Sequence, residues 1–484
     1  MSDASKIAIL LLLAALLDLG VMLWLRRVQS WRTSGQAEER KVRLFGVYSP
    51  VLTWLQGGGE STAGEGQAPE PSAKWRWLEW LAILASVTFF CWGILDFRAI
   101  TNLPGNEAEI FQTLDWTLVN SLRNYHAFPL WNPYLMSGIP YVGDPMLHIY
   151  NPLVTLPVLL FGVRAGFKLA LYLSFLAGAF GMWRLGSVLG MRSATRLWIA
   201  LMFAFAGQPV ARFFQGQYLF VLGFAWIPWI ISSLIQVIRF HRARDIALAV
   251  VSMALLFFSG NAYYPFFILN MVLLFGLVML PRLLPRKPFI SLHWQATLSF
   301  IFVGVMVLGV IAIQLLPLAE FSSRLSKDMK LEGSHTLEQI FLDYTSKDTY
   351  RPDAYSQMPA REEFYAYIGL IPFFSLALLP LAFWKHDRKL ILYFVQVLSG
   401  VLLWISVEHL PWFEFFVKFD WLRQFRHLLR SLVIGSFAII VLAGFGLDAL
   451  WTALQNNAIA AKRDGSQGKT QLVLVRVGLG LMGL

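Results

Sequence analysis

The run Ala296-Thr-Leu-Ser-Phe-Ile-Phe-Val-Gly-Val-Met-Val-Leu-Gly-Val-Ile-Ala-Ile-Gln-Leu-Leu-Pro317 carries no charged residue. A helix needs about 20 mostly apolar residues to cross the hydrocarbon core of a bilayer, and this stretch meets that length. Similar runs lie near 7–25, 77–95, 166–188, 195–210, 217–238, 246–261, 263–281, 364–384, 389–406 and 428–452. A twelfth begins at 471 and reaches Leu484 after fourteen residues, so a longer parent chain is expected. The pattern predicts an all-α polytopic membrane protein.

Composition points the same way. Of 484 residues, 57% are hydrophobic and only 14% charged, against roughly 25% charged in ordinary soluble domains. The single cysteine, Cys91, allows no intrachain disulfide and says nothing about redox compartment. The formal charge of +11 would suit nucleic acid, but the placement of the cations argues for topology instead. Alternate loops gather Arg26, Arg27, Arg32, Arg40, Lys41, Arg43, Lys74 and Arg76, then Arg184, Arg192 and Arg196, then Arg239, Arg242 and Arg244. The series continues with Arg282, Arg286 and Lys287, with Lys385, Arg388 and Lys389, and with Lys462, Arg463 and Lys469. Cytoplasmic loops are enriched in Lys and Arg, so these face the cytoplasm and nucleic acid is not an expected partner. This places the N-terminus outside the cell (inner) membrane.

Residues 1–25 then form an anchor, and 26–76 a cytoplasmic segment with a flexible Gly- and Pro-rich centre. Residues 77–484 form the main multi-span domain, with exterior loops near 96–165, 318–363 and 407–427.

The first exterior loop is longer than a connector requires, and such loops are usually functional. Asn106 is a good N-cap, with Glu109 where a capping box would place it. Ile110, Leu114, Leu118 and Leu122 recur every four residues, which predicts an amphipathic helix over 106–124 lying on the membrane surface. Glu107 and Asp115, eight residues apart, fall on one side of it. Either they and Glu109 merely solvate that helix, or one is a general base held at the membrane surface.

The following stretch, Phe128 to Pro152, is broken by prolines and glycines. In it Trp131, Tyr134, Tyr141 and Tyr150 alternate with Asn132, Asp144, His148 and Asn151. Rings beside hydrogen-bonding side chains suit a sugar, with its apolar CH face and rim of hydroxyls; an aromatic interface belt is the plainer reading.

Several stretches together resemble one family. They are Leu103-Pro-Gly-Asn-Glu-Ala-Glu109, Pro129-Leu-Trp-Asn-Pro-Tyr134, Gly138-Ile-Pro140, Pro152, Phe214-Gln-Gly-Gln217 and Ala225-Trp-Ile-Pro228. Phe258-Ser-Gly-Asn261, Leu316-Pro-Leu-Ala-Glu-Phe-Ser-Ser-Arg324, Tyr367-Ile-Gly369, Phe425-Arg-His427 and Arg430 follow in order. The chain from about 77 to 452 thereby resembles the YfhO-like bacterial membrane proteins of the GT-C glycosyltransferase superfamily.

The resemblance implies a GT-C-like helix bundle and a sugar donor linked to polyprenyl phosphate. It also implies an inverting transfer, outside the membrane, to a glycan, lipid or protein acceptor. An acid early in the first exterior loop serves that family as base. Here Asn106-Glu107 stands where Asp-Glu occurs in relatives, which assigns the role to Glu107, or else to Asp115 or Asp144. Trp131, Asn132, Tyr134 and His148 become candidate sugar contacts.

Arg423, Arg426 and Arg430 are spaced i, i+3, i+7 and share a helical face. Guanidinium groups there could hold a phosphate leaving group; pairing with Glu414 or Asp420 is the simpler alternative. Arg324 is a further candidate, although Glu320 one turn earlier could neutralise it. Arg212, Gln215 and Gln217 cap a short exterior hairpin with no acid beside them.

No His or Cys spacing indicates a metal site. A carboxylate-bound Mg²⁺ or Mn²⁺ beside the donor phosphate stays open, with no motif for it in the sequence. Gly478-Leu-Gly-Leu-Met-Gly483 lies in an apolar run and makes no dinucleotide site. Ala177 and Gly181 read as helix-packing positions. A flippase for lipid-linked sugars and a catalytically inactive scaffold remain the alternatives to an enzyme.

Overall fold

The computed structural model describes residues 73–98, 103–105, 107–135, 137–283, 290–292, 294–322, 333–347, 361–411 and 424–463. The expected 7–25 anchor, the 26–72 segment, the run from 471, Asn106, Arg324 and Arg423 lie outside them.

In chain order the helices are α1 Ala73–Phe90, α2 Ala108–Asn124, α3 Pro152–Phe161, α4 Val163–Val188, α5 Ser193–Ala204, α6 Gly207–Gln215, α7 Tyr218–Phe224, α8 Ile227–Phe240 and α9 Ala243–Phe257. They continue with α10 Tyr263–Met279, α11 Trp294–Ser322, α12 Leu337–Thr345, α13 Arg361–Phe364, α14 Leu370–Leu376, α15 Leu379–Lys385, α16 Arg388–Ile405 and α17 Leu432–Arg463. Two antiparallel strand pairs interrupt this helical order: β1 Trp131–Asn132 with β2 Ile139–Pro140, and β3 Pro281–Leu283 with β4 Ile290–Leu292.

Among the described residues six helical segments are long and apolar enough to cross a membrane: Val163–Val188, Ser193–Gln215, Tyr218–Phe240, Trp294–Ser322, Arg388–Ile405 and Leu428–Gln455. The other expected runs are helical but shorter or more charged. The 364–384 run splits into α14 and α15, with Pro380 in the first turn of α15, where its missing N–H is tolerated.

Burial is uneven. The most apolar stretch of Leu428–Gln455 is 94% buried inside the bundle, whereas that of Trp294–Ser322 is 17% buried. It exposes Leu298, Ile301, Phe302, Val305, Leu308 and Leu316. Leaving such side chains in water forgoes roughly 1.5–3 kcal/mol each, so this face is one that lipid would cover.

Among the described residues, basic residues of the alternate loops meet at one end of the bundle. Arg239 donates to the Val188 carbonyl (2.8 Å), Lys389 to that of Pro281 (2.9 Å), and Arg196 pairs with Glu79 (2.9 Å). Asp448, fully buried on α17, accepts from the Arg192 amide at the start of α5 (2.9 Å) and pairs with Lys385. Residues 103–105, Glu107 and the segments 212–217, 260–263, 361–369 and 424–430 converge at the other end.

The small-residue expectation on α4 holds. The Trp229 indole donates to the Ala177 carbonyl at 2.7 Å, and a Cβ added at Gly181 would lie 2.5 Å from the Trp229 ring. Gly181→Ala is therefore expected to destabilise the bundle by about 1–3 kcal/mol through overpacking, measured as thermal unfolding of the purified protein. Unchanged stability would show that α4 and α8 are not in this register.

Candidate functional site

Glu107 sits at the N-terminal edge of α2, in a turn pressed onto the α6–α7 junction. Gly105 has φ +84°, and a Cβ there would lie 2.0 Å from the carbonyl carbon of Gln215, so only glycine allows this approach. The Tyr218 hydroxyl donates to the Pro104 carbonyl and fixes the turn. Glu107 Oε1 then accepts from Gln217 Nε2 at 3.2 Å, while Gln217 Oε1 accepts from Arg212 Nη1.

Arg212 is fully buried and makes a two-pronged pair with Glu363, Nη1–Oε1 3.0 Å and Nη2–Oε2 2.6 Å. Its Nε donates to Gln208 (3.1 Å), whose own amide donates to the Glu363 carbonyl (3.1 Å). Arg430 approaches the same carboxylate from the other side, Nη2–Oε1 2.9 Å and Nε–Oε1 3.2 Å. The Gly207 amide donates to the Tyr367 carbonyl (2.7 Å), anchoring the strand-like segment that follows Glu363. Phe220 lies 4.6 Å from the Arg212 guanidinium and 5.0 Å from that of Arg430, and Tyr263 covers Arg430 at 4.3 Å. The result is one connected row: Glu107, Gln217, Arg212, Glu363, Arg430.

Electrostatics fix its charges. Burial raises the Glu363 pKa, but Arg212 and Arg430 outweigh it and hold the carboxyl well below the usual range. Burial, with Arg430, Arg426 and Arg212 nearby, pushes His427 down to about 4 against a weaker opposing pull from Glu363, so it stands beside the cations as a neutral imidazole. Arg430 Nη1 has no protein acceptor among the described residues, and the side chain keeps 16% exposure.

The other sequence candidates fall elsewhere. The helix begins at Ala108 with Glu107 at the cap position and no side-chain cap bond, so the expected start at 106 shifts. Asp115 is not on a solvated face: it is fully buried, with Oδ1 3.3 Å from His148 Nε2, a charge contact without hydrogen-bond alignment. His148 also donates from Nδ1 to the Met146 carbonyl at 3.0 Å. Asp144 is buried and accepts from the Met146 amide (2.8 Å) in a local turn, and burial raises its pKa.

Asn132 is buried and accepts from the Tyr134 amide (3.0 Å) and, at 3.5 Å, from the Thr117 hydroxyl. Asn151 caps α3 through the Leu153 amide. These polar residues hold the loop together from inside, while Trp131 and Tyr134 point out of it, 54% and 50% exposed. Arg426 and Arg430 do not share a regular helical face. Residues 424–427 are non-helical and Leu428–Ser431 is a 3-10 turn. Arg430 pairs with Glu363 instead of Glu414 or Asp420, which lie outside the described residues.

The acid that sequence spacing could not supply to Arg212 is Glu363, 151 positions away. A guanidinium in an apolar span needs such a partner, but nothing in the linear order says which of the nine acids between 318 and 363 provides it. Among the described residues no group of three or more His, Cys, Asp or Glu side chains gathers as a cation cage.

No family model and no curated protein matches this chain.

The His148–Asp115 pair gives the loop a pH signature. Burial disfavours the imidazolium, but Asp115, the Met146 carbonyl and Asp144 together raise the His148 pKa above its ordinary 6.5. A raised native pKa adds stability that is complete below about pH 6.5 and lost as pH climbs through the native value. Amide exchange of residues 108–124, corrected for intrinsic rate, is expected to accelerate between pH 6 and pH 9. His148→Gln should flatten that dependence; an unaltered slope would remove the pair as its source.

Proposed function

We propose that this protein is a membrane glycosyltransferase of the GT-C type, drawing sugar from a polyprenyl-phosphate carrier on the exterior side of the cell membrane. The observation that supports it most is the row from Glu107 to Arg430, a free-standing carboxylate hydrogen-bonded into a buried guanidinium cluster. In this reading the basic end of the bundle faces the cytoplasm, the Glu107 end faces outward, and the N-terminus starts outside. The likeness to YfhO-like proteins supplies the donor class and the inverting outcome.

The chemistry follows from the groups present. Glu107 accepts the proton of an acceptor hydroxyl. The resulting oxygen bonds to the anomeric carbon as the bond from that carbon to the phosphate oxygen breaks. The departing polyprenyl phosphate gathers charge, and guanidinium donors stabilise it by charge-assisted hydrogen bonds. Arg430 through its uncommitted Nη1, with Arg426 beside it, would carry that role. Arg212 is saturated by Glu363, Gln208 and Gln217, so it positions the other members of the row.

A second reading has an observation of its own. Arg212 and Arg430 neutralise Glu363 so fully that the cluster could be purely structural, as in an inactive scaffold. Incubating the purified full chain with polyprenyl-phospho-hexoses and an acceptor extract, and measuring released polyprenyl phosphate, separates the two. Release above that of heat-inactivated protein supports the enzyme; none with any donor favours the scaffold.

A further inference from the structure

The outer face of the first loop is a second feature, separate from the Glu107 row. On α2, Trp116 is 44% exposed and meets Tyr134 edge-on at 4.9 Å. The Tyr134 hydroxyl accepts from the Asn120 amide (3.2 Å), and Asn120 in turn accepts from Asn124 (2.7 Å). Three residues before Tyr134, on the same hairpin, Trp131 turns outward while Asn132 turns inward, as successive strand residues do. Gly138, at φ +105°, leaves room for the indole: a Cβ there would be 2.7 Å from the Trp131 ring. The ring is thus packed on one face by the hairpin and open on the other.

We propose that Trp116, Tyr134 and Trp131, with Asn120 and Asn124, form a binding platform for a neutral saccharide chain, the acceptor of the reaction. This rests on the glycosyltransferase reading and specifies its acceptor as a glycan. Fixed, half-open rings offer apolar faces for sugar CH groups, and the amides beside them answer hydroxyls. Nine residues separate Glu107 from Trp116, about 13 Å along a helix at 1.5 Å per residue. The same nine residues turn Trp116 about 180° round the helix, so the platform stands away from the reacting atoms and would hold the body of an oligosaccharide long enough to pass the helix N-terminus to Glu107.

Residues 103–151 contain Glu107, Glu109, Asp115 and Asp144 but only Arg123 among Lys and Arg, so the platform has little cationic pairing for an anionic glycan or headgroup and suits a neutral chain.

The test uses the full chain in nanodiscs and a panel of linear neutral oligosaccharides of graded length, built from glucose, mannose, galactose or N-acetylhexosamine. Binding is read by saturation-transfer NMR and tryptophan fluorescence. One series is expected to bind, to tighten with length, and to weaken about tenfold or more in Trp131→Ala and Tyr134→Ala. Trp131→Phe, which keeps a ring, should retain most of the affinity and guards against a folding artefact. Failure of every series, indifference to Trp131→Ala, or strong quenching of Trp131 by brominated lipid chains overturns the proposal. Because the readout is binding, a protein that holds the oligosaccharide but transfers nothing refutes the enzyme reading alone.

Discussion

A Glu107→Gln protein is expected to fold and insert as the native chain does and to lose glycosyl transfer by about 10²–10⁴-fold, the usual contribution of a positioned general base. The substitution is well suited to this site. Glu107 uses one oxygen to accept from Gln217, and a glutamine side-chain oxygen at the same place can accept the same bond, so the row stays connected. What disappears is the ability to take a proton. The measurement is single-turnover release of polyprenyl phosphate, alongside thermal unfolding to show the fold is kept. Turnover within a few-fold of native would take Glu107 out of the mechanism. Asp115 and Asp144 are poor substitutes, one sealed against His148 and the other committed to a local turn.

Much of this architecture is legible in the linear sequence because it depends on local quantities. The apolar runs at 166–188 and 296–317 return as long helices, and the described cations of the alternate loops, Arg192, Arg196, Arg239, Lys385 and Lys389, gather at one end. Glu107 and Arg430 stand at the two ends of one hydrogen-bonded row through Gln217, Arg212 and Glu363. Periodicity fails where burial has two meanings. The stripe Leu114, Leu118 with Asp115 beside it fits a helix floating on lipid as well as one packed under a loop; Leu114 and Leu118 pack on Tyr141, Leu147 and Ile149, while Ile110 and Leu122 stay exposed. Asn132 and His148, read from the sequence as sugar contacts, and Asp144, read as a candidate base, are buried and make hydrogen bonds within the loop. Gln217 and Glu363 were out of reach for another reason. Their meaning arises only when three distant segments meet.

Glu363→Gln is expected to be among the most destabilising single changes in the protein. Arg212 is fully buried, and deleting its counter-charge leaves a guanidinium in a low-dielectric interior, a loss of roughly 3–5 kcal/mol. The native pair should be insensitive to pH. The Glu363 carboxyl is held well below its ordinary 4.5, so its contribution is complete above that value and is lost only as pH falls through the depressed native one. Between pH 5 and pH 9 the native protein and the variant should therefore differ by a constant amount in thermal unfolding. Arg430→Gln provides the contrast. Arg212 alone still neutralises Glu363, and Arg430 is partly exposed, so the stability loss should be the smaller of the two. If the row only braces the bundle, the effects of both substitutions on any activity should follow their effects on stability. If Arg430 Nη1 meets a leaving phosphate, Arg430→Gln should depress transfer far more than its modest destabilisation explains, with Arg430→Lys restoring part of it by returning the charge without the fork. A strict correlation between residual activity and residual stability across Glu363→Gln, Arg430→Gln and Arg430→Lys would assign the cluster to structure and leave the leaving group without a partner there.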